Sequence, residues 1–208
     1  MDTKALFTLT NGLYLLTSSD GLKAGGCIVN TLEQVTSSPA RLIVAVNKDN
    51  YTSELIAKSG VFHAVVLTQE TEMNLIAGFG FRSGRDVDKF AGYSVLKDMN
   101  GVPYIMDSAA ARFSLKVAET VDCGSHMLFL GDLVDAEVLN TALTPMTYAY
   151  YHAVKKGTTP KNAPSYQEEK QETGFRCKIC GYIEHADSLP DDFVCPVCGA
   201  SRALFEAI

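Results

Sequence analysis

Short apolar runs, many of them β-branched, recur along the first three quarters of the chain, separated by clusters of glycine, proline, asparagine and serine. Runs of this length and composition are typical of β-strands. The strands predicted in this way cover residues 12–17, 26–30, 41–46, 61–67, 111–117 and 126–134. Because many short strands joined by turns usually form a barrel or a sandwich, the pattern predicts a mainly β domain.

Helical patterns interrupt the strands at three places. Residues 52–59 have helical spacing and are followed by Gly60, a common residue just after a helix. Residues 70–77 indicate a second helix, and residues 144–156 a third that begins with Thr144 and Pro145 and ends in two lysines. Proline at the first helical position and cations near the last are both favourable. The predicted fold class is mainly β with some α, a β-barrel with helical insertions.

A polar stretch from Lys155 to Thr173 separates this domain from the end of the chain. It contains two prolines and almost no apolar residue, which is typical of a linker. The prediction is a domain over residues 1–156, a linker over 157–173 that lets the next domain move, and a small domain over 174–208. A domain of that size cannot fold on a hydrophobic core alone and needs a metal or another cross-link.

The composition of the 208 residues limits the classes of function. Hydrophobic residues make up 47%, and the net charge of −6 with a pI near 5.2 argues against nucleic acid as a partner. No apolar run reaches the roughly 18 residues that span a membrane, and the first residues lack a signal-peptide pattern. Cys27 and Cys123 stand alone, so a disulfide framework is not expected. These features predict a soluble, cytoplasmic protein.

Four cysteines near the C-terminus form two Cys-x-x-Cys pairs, Cys177 with Cys180 and Cys195 with Cys198, each followed by glycine. Four thiolates arranged in this way can converge on one tetrahedral metal ion. The spacing alone favours structural zinc and leaves iron open. The residues around the two pairs bear on that choice.

Residues 175–182 and 189–199 resemble the rubredoxins, and Phe205 stands where that family has a closing aromatic. The resemblance implies electron transfer through one iron ion with four ligands, Cys177, Cys180, Cys195 and Cys198. The chain departs from the family in two ways. The segment between the pairs is shorter than in free-standing rubredoxins, and Phe193 replaces the usual tryptophan. Neither departure removes a ligand.

Further expectations concern the surroundings of this site. The backbone N–H groups of Gly181 and Gly199 are expected to donate to sulfur and to tune the potential. The sulfur edge near Cys180 and Cys198 is the expected exit for electrons. Acidic side chains cluster in this domain at Asp187, Asp191, Asp192 and Glu206. They form either a solvated face or a docking surface for a basic redox partner, and both interpretations stay open.

An iron carrier of this kind needs a source of electrons, and a flavin is the usual converter between hydride and single electrons. The first domain carries neither a G-x-G-x-x-G fingerprint after a strand nor a P-loop motif. Polar residues do follow two predicted strands, over 30–37 and 47–52, and the second segment leads into a helix N-terminus that suits phosphate. Residues 83–89 add donors and two cations. Each segment alone is more often ordinary turn chemistry.

Together the segments resemble the flavin reductase-like family of FMN-binding split β-barrels, from residue 6 to residue 154. The resemblance rests on residues 26–31, 34–39, 46–52, 79–85 and 126–131. It implies that the isoalloxazine ring is held by Asn30, Thr31, Gln34, Val35 and Thr36. It implies that the ribityl phosphate is held by Asn47, Lys48, Asn50 and Thr52. Four further residues would close over the cofactor, namely Ser83, Gly84, Arg85 and Lys89.

The histidines divide into one candidate and two packing residues. By the same resemblance His126 lies near the flavin and the nicotinamide pocket, where it would be the catalytic residue, or else it only caps a strand end. His63 is expected to be a satisfied core residue, and Cys27 a small apolar one. His152, among several tyrosines, is expected to pack or to contact a second subunit.

The order of the two domains resembles the high-molecular-weight rubredoxins of anaerobic bacteria. That resemblance implies NADH oxidation at FMN, transfer to iron, and delivery to a flavodiiron protein that reduces nitric oxide or dioxygen. It also implies a homodimer. The predicted fold is then an FMN-binding split β-barrel followed by a rubredoxin-like metal domain. Two alternatives remain: an FMN and iron carrier fed by another protein, and a non-redox interaction protein that binds zinc. The sequence does not choose NADH over NADPH.

Overall fold

A seven-stranded antiparallel sheet, ordered β2-β1-β5-β8-β9-β4-β3, forms most of the first domain. The computed structural model describes residues 3–159 and 174–208. The strands of this sheet are β1 (Tyr14–Ser19), β2 (Ala24–Val29), β3 (Glu33–Ser37), β4 (Ala40–Asn47), β5 (Val61–Leu67), β8 (Ala109–Asp122) and β9 (His126–Val138). A separate hairpin pairs β6 (Val95–Lys97) with β7 (Pro103–Ile105).

Three α-helices cover the sheet: α1 (Tyr51–Ser59), α2 (Met73–Gly80) and α3 (Tyr148–Ala153). Asn50 caps α1, because its side chain accepts a hydrogen bond from the backbone N–H of Thr52. Gly60 ends the same helix in the left-handed conformation, with φ of 70°. Single 3₁₀ turns lie at Thr3–Thr8 and Arg202–Leu204. No helix in the described part of the chain is long and apolar enough to cross a membrane.

Two apolar clusters lie on opposite faces of β1 and β5, because side chains alternate along a strand. Leu15 and Val65 belong to the first cluster, together with residues of α2 and α3. Leu16 and Phe62 belong to the second, which also takes residues from β4, β8 and β9. Since both faces of the central strands are buried, these strands show continuous apolar runs rather than strict alternation of apolar and polar residues.

Three segments far apart in sequence meet where the first domain closes. The N–H of Leu13 donates to the carbonyl of Met146 at 3.0 Å, and the N–H of Met146 donates to Leu67 at 2.8 Å. The N–H of Leu67 in turn donates to Leu13 at 3.1 Å. Met146 is almost fully buried in the first cluster, so the closure joins hydrogen bonding to core packing.

The mainly β fold with a few helices is confirmed, but one predicted helix begins late. Residues 144–147 are extended instead of helical: Pro145 bridges Thr68, and Thr147 bridges Gly12. Thr147 then caps α3. The backbone groups of Met146 bond to strand residues, which outweighs the helical preference of the sequence. The strands β3, β6 and β7 were not predicted, because β3 and β6 are largely exposed and β7 is only three residues long.

His63 and Cys27 lie in the core, as predicted. The Nδ1 atom of His63 is 3.1 Å from Oδ2 of Asp98 and 3.0 Å from Oγ of Ser114. Its ring stacks on Tyr104 with 4.2 Å between centroids. Burial raises the pKa of the Cys27 thiol to about 11. Both groups are therefore neutral parts of the packing.

The small domain is a three-stranded antiparallel sheet with two cysteine-bearing turns. Its strands, in the spatial order β11-β10-β12, are β10 (Phe175–Cys177), β11 (Ile183–Glu184) and β12 (Phe205–Ala207). Most of the predicted linker lies outside the described residues. Its first residues, 157–159, pack against α3. The domain boundaries therefore remain a prediction.

Candidate functional site

Four cysteine sulfurs converge in the small domain. The Sγ atoms of Cys177, Cys180, Cys195 and Cys198 all lie within 4.8 Å of one another. Sγ of Cys177 is 3.7 Å from Sγ of Cys198, and Sγ of Cys180 is 3.6 Å from Sγ of Cys195. A metal ion about 2.3 Å from four sulfurs requires edges of about 3.8 Å. The thiols therefore already have the spacing of a tetrahedral tetrathiolate site.

The two turns that carry these cysteines have the same backbone geometry. Gly181 has φ of 77° and Gly199 has φ of 71°, a conformation that glycine adopts without strain. The N–H of Gly181 donates to the carbonyl of Cys177, and that of Gly199 to Cys195, each at 2.9 Å. The prediction that these two N–H groups donate to sulfur is therefore wrong.

The N–H groups that do reach sulfur lie one residue further along each turn. The N–H of Tyr182 bonds to the sulfur of Cys180, and that of Ala200 to the sulfur of Cys198. The glycine conformation explains this, because it closes the turn onto a carbonyl and points the next N–H towards the thiol. Such donors stabilise negative charge on sulfur and so affect the potential of a bound metal.

Aromatic packing supports the site from one side. The rings of Phe193 and Phe205 meet edge to face with 5.2 Å between centroids, so the phenylalanine in place of tryptophan keeps the aromatic contact. Leu189 is buried beside them within the same small domain. Of the acidic cluster, Asp191 is engaged by Arg202, whose guanidinium donates to its carboxylate.

A cleft opens in the first domain between the sheet and α3, with an empty volume of about 640 Å³. Its size is within the range of small-molecule sites. Apolar side chains of β1, β2 and α2 form one wall, and polar side chains that follow β2 and β4 form the other. The lining residues are Leu13, Ile28, Val29, Asn30, Ala45, Asn47, Asn50, Ile76, Gly80, Phe81, His126, Tyr148, Tyr151 and Thr158. This space is called the barrel cleft below.

Four of the predicted site residues line the barrel cleft: Asn30, Asn47, Asn50 and His126. Asn47 and His126 face each other in the ladder between β4 and β9, which places an amide beside an imidazole. Nδ1 of His126 is 2.8 Å from Oγ of Ser125. Asn30 and His126 are only 6% and 8% exposed, so both polar side chains are held in an apolar setting.

The other residues predicted to hold the ring lie along the edge strand. Thr31 donates from Oγ1 to the carbonyl of Ala45 at 3.0 Å and so fixes the connection between β2 and β4. Gln34 and Val35 are exposed on β3, where a bulge shifts the register before Thr36. None of these four predicted residues lines the barrel cleft of this single chain.

The cations predicted to hold phosphate have protein partners. Lys48 pairs with Asp122 at 2.6 Å, and Arg85 pairs with Glu54 at 2.7 Å. Arg85 also donates to the carbonyl of Asp49 at 3.1 Å, so it lies against the loop that leads into α1.

Lys89 is nearly buried, and its Nζ donates to the carbonyls of Gly26 and Phe79 at 2.9 Å each. Burial lowers the pKa of Lys89. Ser83 and Gly84 lie on the same loop as Arg85, and Thr52 is buried in the first turn of α1. No lysine or arginine is among the described residues that line the barrel cleft.

Several cleft residues were not found from the sequence, chiefly Phe81, Tyr148, Tyr151 and Thr158. The tyrosines were taken as packing residues, and Thr158 lies in the predicted linker. A hydrogen-bond network explains their position. Tyr148 Oη is 2.7 Å from Oγ1 of Thr159, which is 3.2 Å from Nε2 of His152. No local sequence signal marks this network, because it depends on how the chain folds back after α3.

The tautomer of His152 follows from its two partners. Its Nδ1 lies 2.9 Å from the carbonyl of Gly157 and must donate, so Nε2 accepts from Thr159. Burial lowers the pKa of His152, which keeps this neutral tautomer. The segment after α3 is therefore tied to the helix by groups from three of its residues.

Comparison with known proteins agrees with this division. The family described as flavin reductase like domain matches residues 6–157, and the family described as rubrerythrin, rubredoxin-like domain matches residues 175–206. The high molecular weight rubredoxin of Moorella thermoacetica is 43% identical, with 100% of both chains covered. A ferric-chelate reductase (NAD(P)H) of Archaeoglobus fulgidus is 42% identical over 82% of this chain and 100% of its own.

A solved structure shows the same fold for the first domain. The NADH:FAD oxidoreductase SgcE6 of Streptomyces globisporus C-1027 superposes with a TM-score of 0.63, covering 69% of this chain and 83% of its own. Its sequence identity is 21%, so the likeness concerns the fold.

Proposed function

The chain belongs to the high-molecular-weight rubredoxins, and we propose that it oxidises NADH at FMN and passes the electrons singly through one iron ion. At the coarser level it is an NAD(P)H-linked electron-transfer protein and an NAD(P)H-dependent oxidoreductase. The observation that carries the proposal is the tetrathiolate site on the same chain as a flavin reductase-like domain.

The four-cysteine site fits an iron ion by its donor set. Four thiolates suit iron in rubredoxin-type sites as well as zinc, and the sulfur spacing matches a tetrahedron. We propose that Cys177, Cys180, Cys195 and Cys198 bind the iron. When bound, the iron supplies a one-electron redox step. The N–H groups of Tyr182 and Ala200 would stabilise the charge on the two more accessible sulfurs.

The barrel cleft fits the ring of a flavin. Its apolar wall, with Ile28 and Ile76, offers a surface for a planar heterocycle, and the amides of Asn30, Asn47 and Asn50 offer donors and acceptors to a polar edge. The N-terminus of α1 and Arg85 beside its leading loop are the groups that would meet a phosphate.

The remaining predicted contacts belong to the proposal as a homodimer. Gln34, Val35 and Thr36 lie on an exposed edge strand, where a second copy of the chain could bring them to its own cofactor. His126 lies at the polar end of the cleft. Hydride transfer needs positioning more than acid–base help, so His126 is proposed to orient the nicotinamide.

The proposed physiological acceptor is a flavodiiron protein that reduces nitric oxide or dioxygen. The acidic residues Asp187, Asp192 and Glu206 are all exposed, which supports docking to a basic surface on that acceptor. The name of the Archaeoglobus relative makes a ferric chelate the second acceptor to test.

The first experiment mixes the anaerobic protein with NADH and follows the flavin and iron absorption bands together. Reduction of the flavin band followed by the iron band is expected. Two bands without a response to NADH would replace the proposal with a carrier fed by another protein. A colourless protein that contains zinc after cofactor reconstitution would replace it with an interaction protein.

The matched variant for this experiment is Cys180→Ser, with Cys123→Ser as its control, because Cys123 is exposed and lies outside the four-cysteine site. Cys180→Ser is expected to lose the iron band and to keep the flavin band and its reduction by NADH. A normal iron spectrum in Cys180→Ser would disprove the ligand assignment. Turnover with a purified flavodiiron protein, compared with turnover with a ferric chelate, then tests the acceptor.

A further inference from the structure

The barrel cleft and a second pocket share one wall. The second pocket, called the junction pocket here, has an empty volume of about 590 Å³ and lies between α2 and the four-cysteine site. Phe81, Tyr151 and Thr158 line both spaces. On the far side the junction pocket is lined by Cys180 and Cys198. A single layer of side chains therefore separates the proposed flavin site from two of the iron ligands.

A short chain of hydrogen bonds fixes this arrangement. The hydroxyl of Tyr151 donates to the carbonyl of Thr158 at 3.1 Å, and Oγ1 of Thr158 donates to the carbonyl of Cys180 at 2.9 Å. Gly157 lies flat on the ring of Tyr151, where a Cβ would come within 2.0 Å of Cζ. Only glycine allows the backbone to pass this close to the ring. Thr158 is thereby presented to the small domain in one position.

The sulfurs that face the junction pocket are the accessible pair. Cys177 and Cys195 are buried, whereas Cys180 is partly and Cys198 fully exposed. Burial raises the pKa of Tyr151, so its hydroxyl keeps the proton that it donates to Thr158.

We propose that Thr158, fixed by Tyr151, is a positioning residue that seats the Cys180 turn against the barrel cleft. Electrons then enter the four-cysteine site through the Cys180–Cys198 edge. This reverses the sequence-based expectation that the same edge serves only as the exit.

The inference rests on the proposed function, since it requires a flavin in the barrel cleft and iron in the small domain. Each NADH loses a hydride and becomes NAD⁺, which delivers two electrons to the cleft. The four-cysteine site accepts one of them, with Fe³⁺ becoming Fe²⁺. The external acceptor must therefore take an electron from this site twice for every hydride.

The test places charges on the two walls of the junction pocket. Ala77 on α2 and Val197 in the small domain line this pocket and do not line the barrel cleft. The double variant Ala77→Glu with Val197→Glu sets two carboxylates against each other, and Ala77→Glu with Val197→Lys sets a carboxylate against an ammonium group. The single variant Ile179→Glu is the control, because Ile179 holds the equivalent place in the other cysteine turn and is 59% exposed.

Iron reduction is measured after the flavin has been reduced by light with EDTA, so a failure of NADH oxidation leaves the test intact. The like-charge pair is expected to slow iron reduction by about tenfold or more, since it depopulates the seated form. The opposite-charge pair is expected to restore most of the rate, and Ile179→Glu to leave it unchanged.

A structural readout accompanies the rates. Small-angle X-ray scattering of each variant is expected to show expansion for the like-charge pair only. Wild-type iron reduction and compactness in the like-charge pair would overturn the inference. So would an opposite-charge pair as slow as the like-charge pair, because the loss would then be local damage. Slow reduction of the flavin by NADH in every form, with these patterns intact, would count against the proposed function alone.

Discussion

The two domains are stabilised by different means. The first buries two clusters of large apolar side chains, including Phe62 and Phe129, on opposite faces of its central strands. The small domain buries, among its described apolar residues, Leu189 and the two ligands Cys177 and Cys195. A core of that size cannot offset the entropy of folding. The first domain therefore derives its fold from burial, and the second from its metal ligands.

This contrast decides what each kind of sequence information can reveal. A core is spread over many positions, so single residues matter by degrees. A metal site depends on four atoms, so their spacing is visible in the chain and each one is indispensable. The predictions that follow test that contrast, from the largest expected effect to the smallest.

Cys195→Ser is expected to unfold the small domain and to leave the first domain folded. A structural metal contributes on the order of 10 kcal/mol to the folding of such a domain. The measurement is loss of the iron band and rapid proteolysis after the linker, with the thermal transition of the first domain unchanged. Cys27→Ala is the contrasting variant, because it removes a buried thiol from the first domain. A protected small domain in Cys195→Ser would contradict the contrast.

Phe129→Ala is expected to destabilise the first domain by about 3–5 kcal/mol, because it removes a fully buried ring from the second cluster. The free energy of unfolding in denaturant measures this loss, and the iron band should persist at concentrations that unfold the barrel. Phe129→Leu, which keeps most of the volume, should lose clearly less. Equal losses in the two variants would mean that cavity formation is not the cause.

Lower pH is expected to weaken the first domain through His63. Burial lowers the folded-state pKa of His63, against the opposing effect of the Asp98 carboxylate, with Arg112 and Asp135 as smaller influences. Below a pH of about 6.5 the unfolded chain takes up the proton more readily than the folded one. The free energy of unfolding should therefore fall as the pH decreases from about 6.5, down to the folded-state pKa.

The measurement is the midpoint of thermal unfolding against pH for the wild type and for His63→Asn. The asparagine amide can replace Nδ1 as the partner of Asp98 and Ser114 and does not titrate. Its pH dependence should be flatter than that of the wild type between pH values of about 5 and 6.5. Parallel curves for the two proteins would assign the acid sensitivity to other groups.

The same contrast explains how far the sequence could go. Strands β1, β2, β4, β5, β8 and β9 were predicted because their apolar runs reflect burial. The start of α3 was predicted too early, since the pairing of Met146 with Leu13 and Leu67 is invisible in local sequence. The four cysteines could be found from spacing, because each pair is held within one turn.

The cleft was only partly visible. Asn30, Asn47 and Asn50 could be proposed from their places after strands, where polar side chains collect at one end of a sheet. Tyr151 and Thr158 could not be proposed, because the chain reaches them only by folding back over α3. Lys89 illustrates the opposite error, in which a cation beside glycines suggests an anion site but bonds two backbone carbonyls instead.

The closure between Leu13, Leu67 and Met146 also sets an order of events during synthesis. Contacts so distant in sequence form slowly, and the first domain cannot complete them until Met146 has left the ribosome. Domains generally fold as units, starting from the N-terminal one. The four cysteines are made last, so the small domain acquires its metal beside a barrel whose chain is already complete.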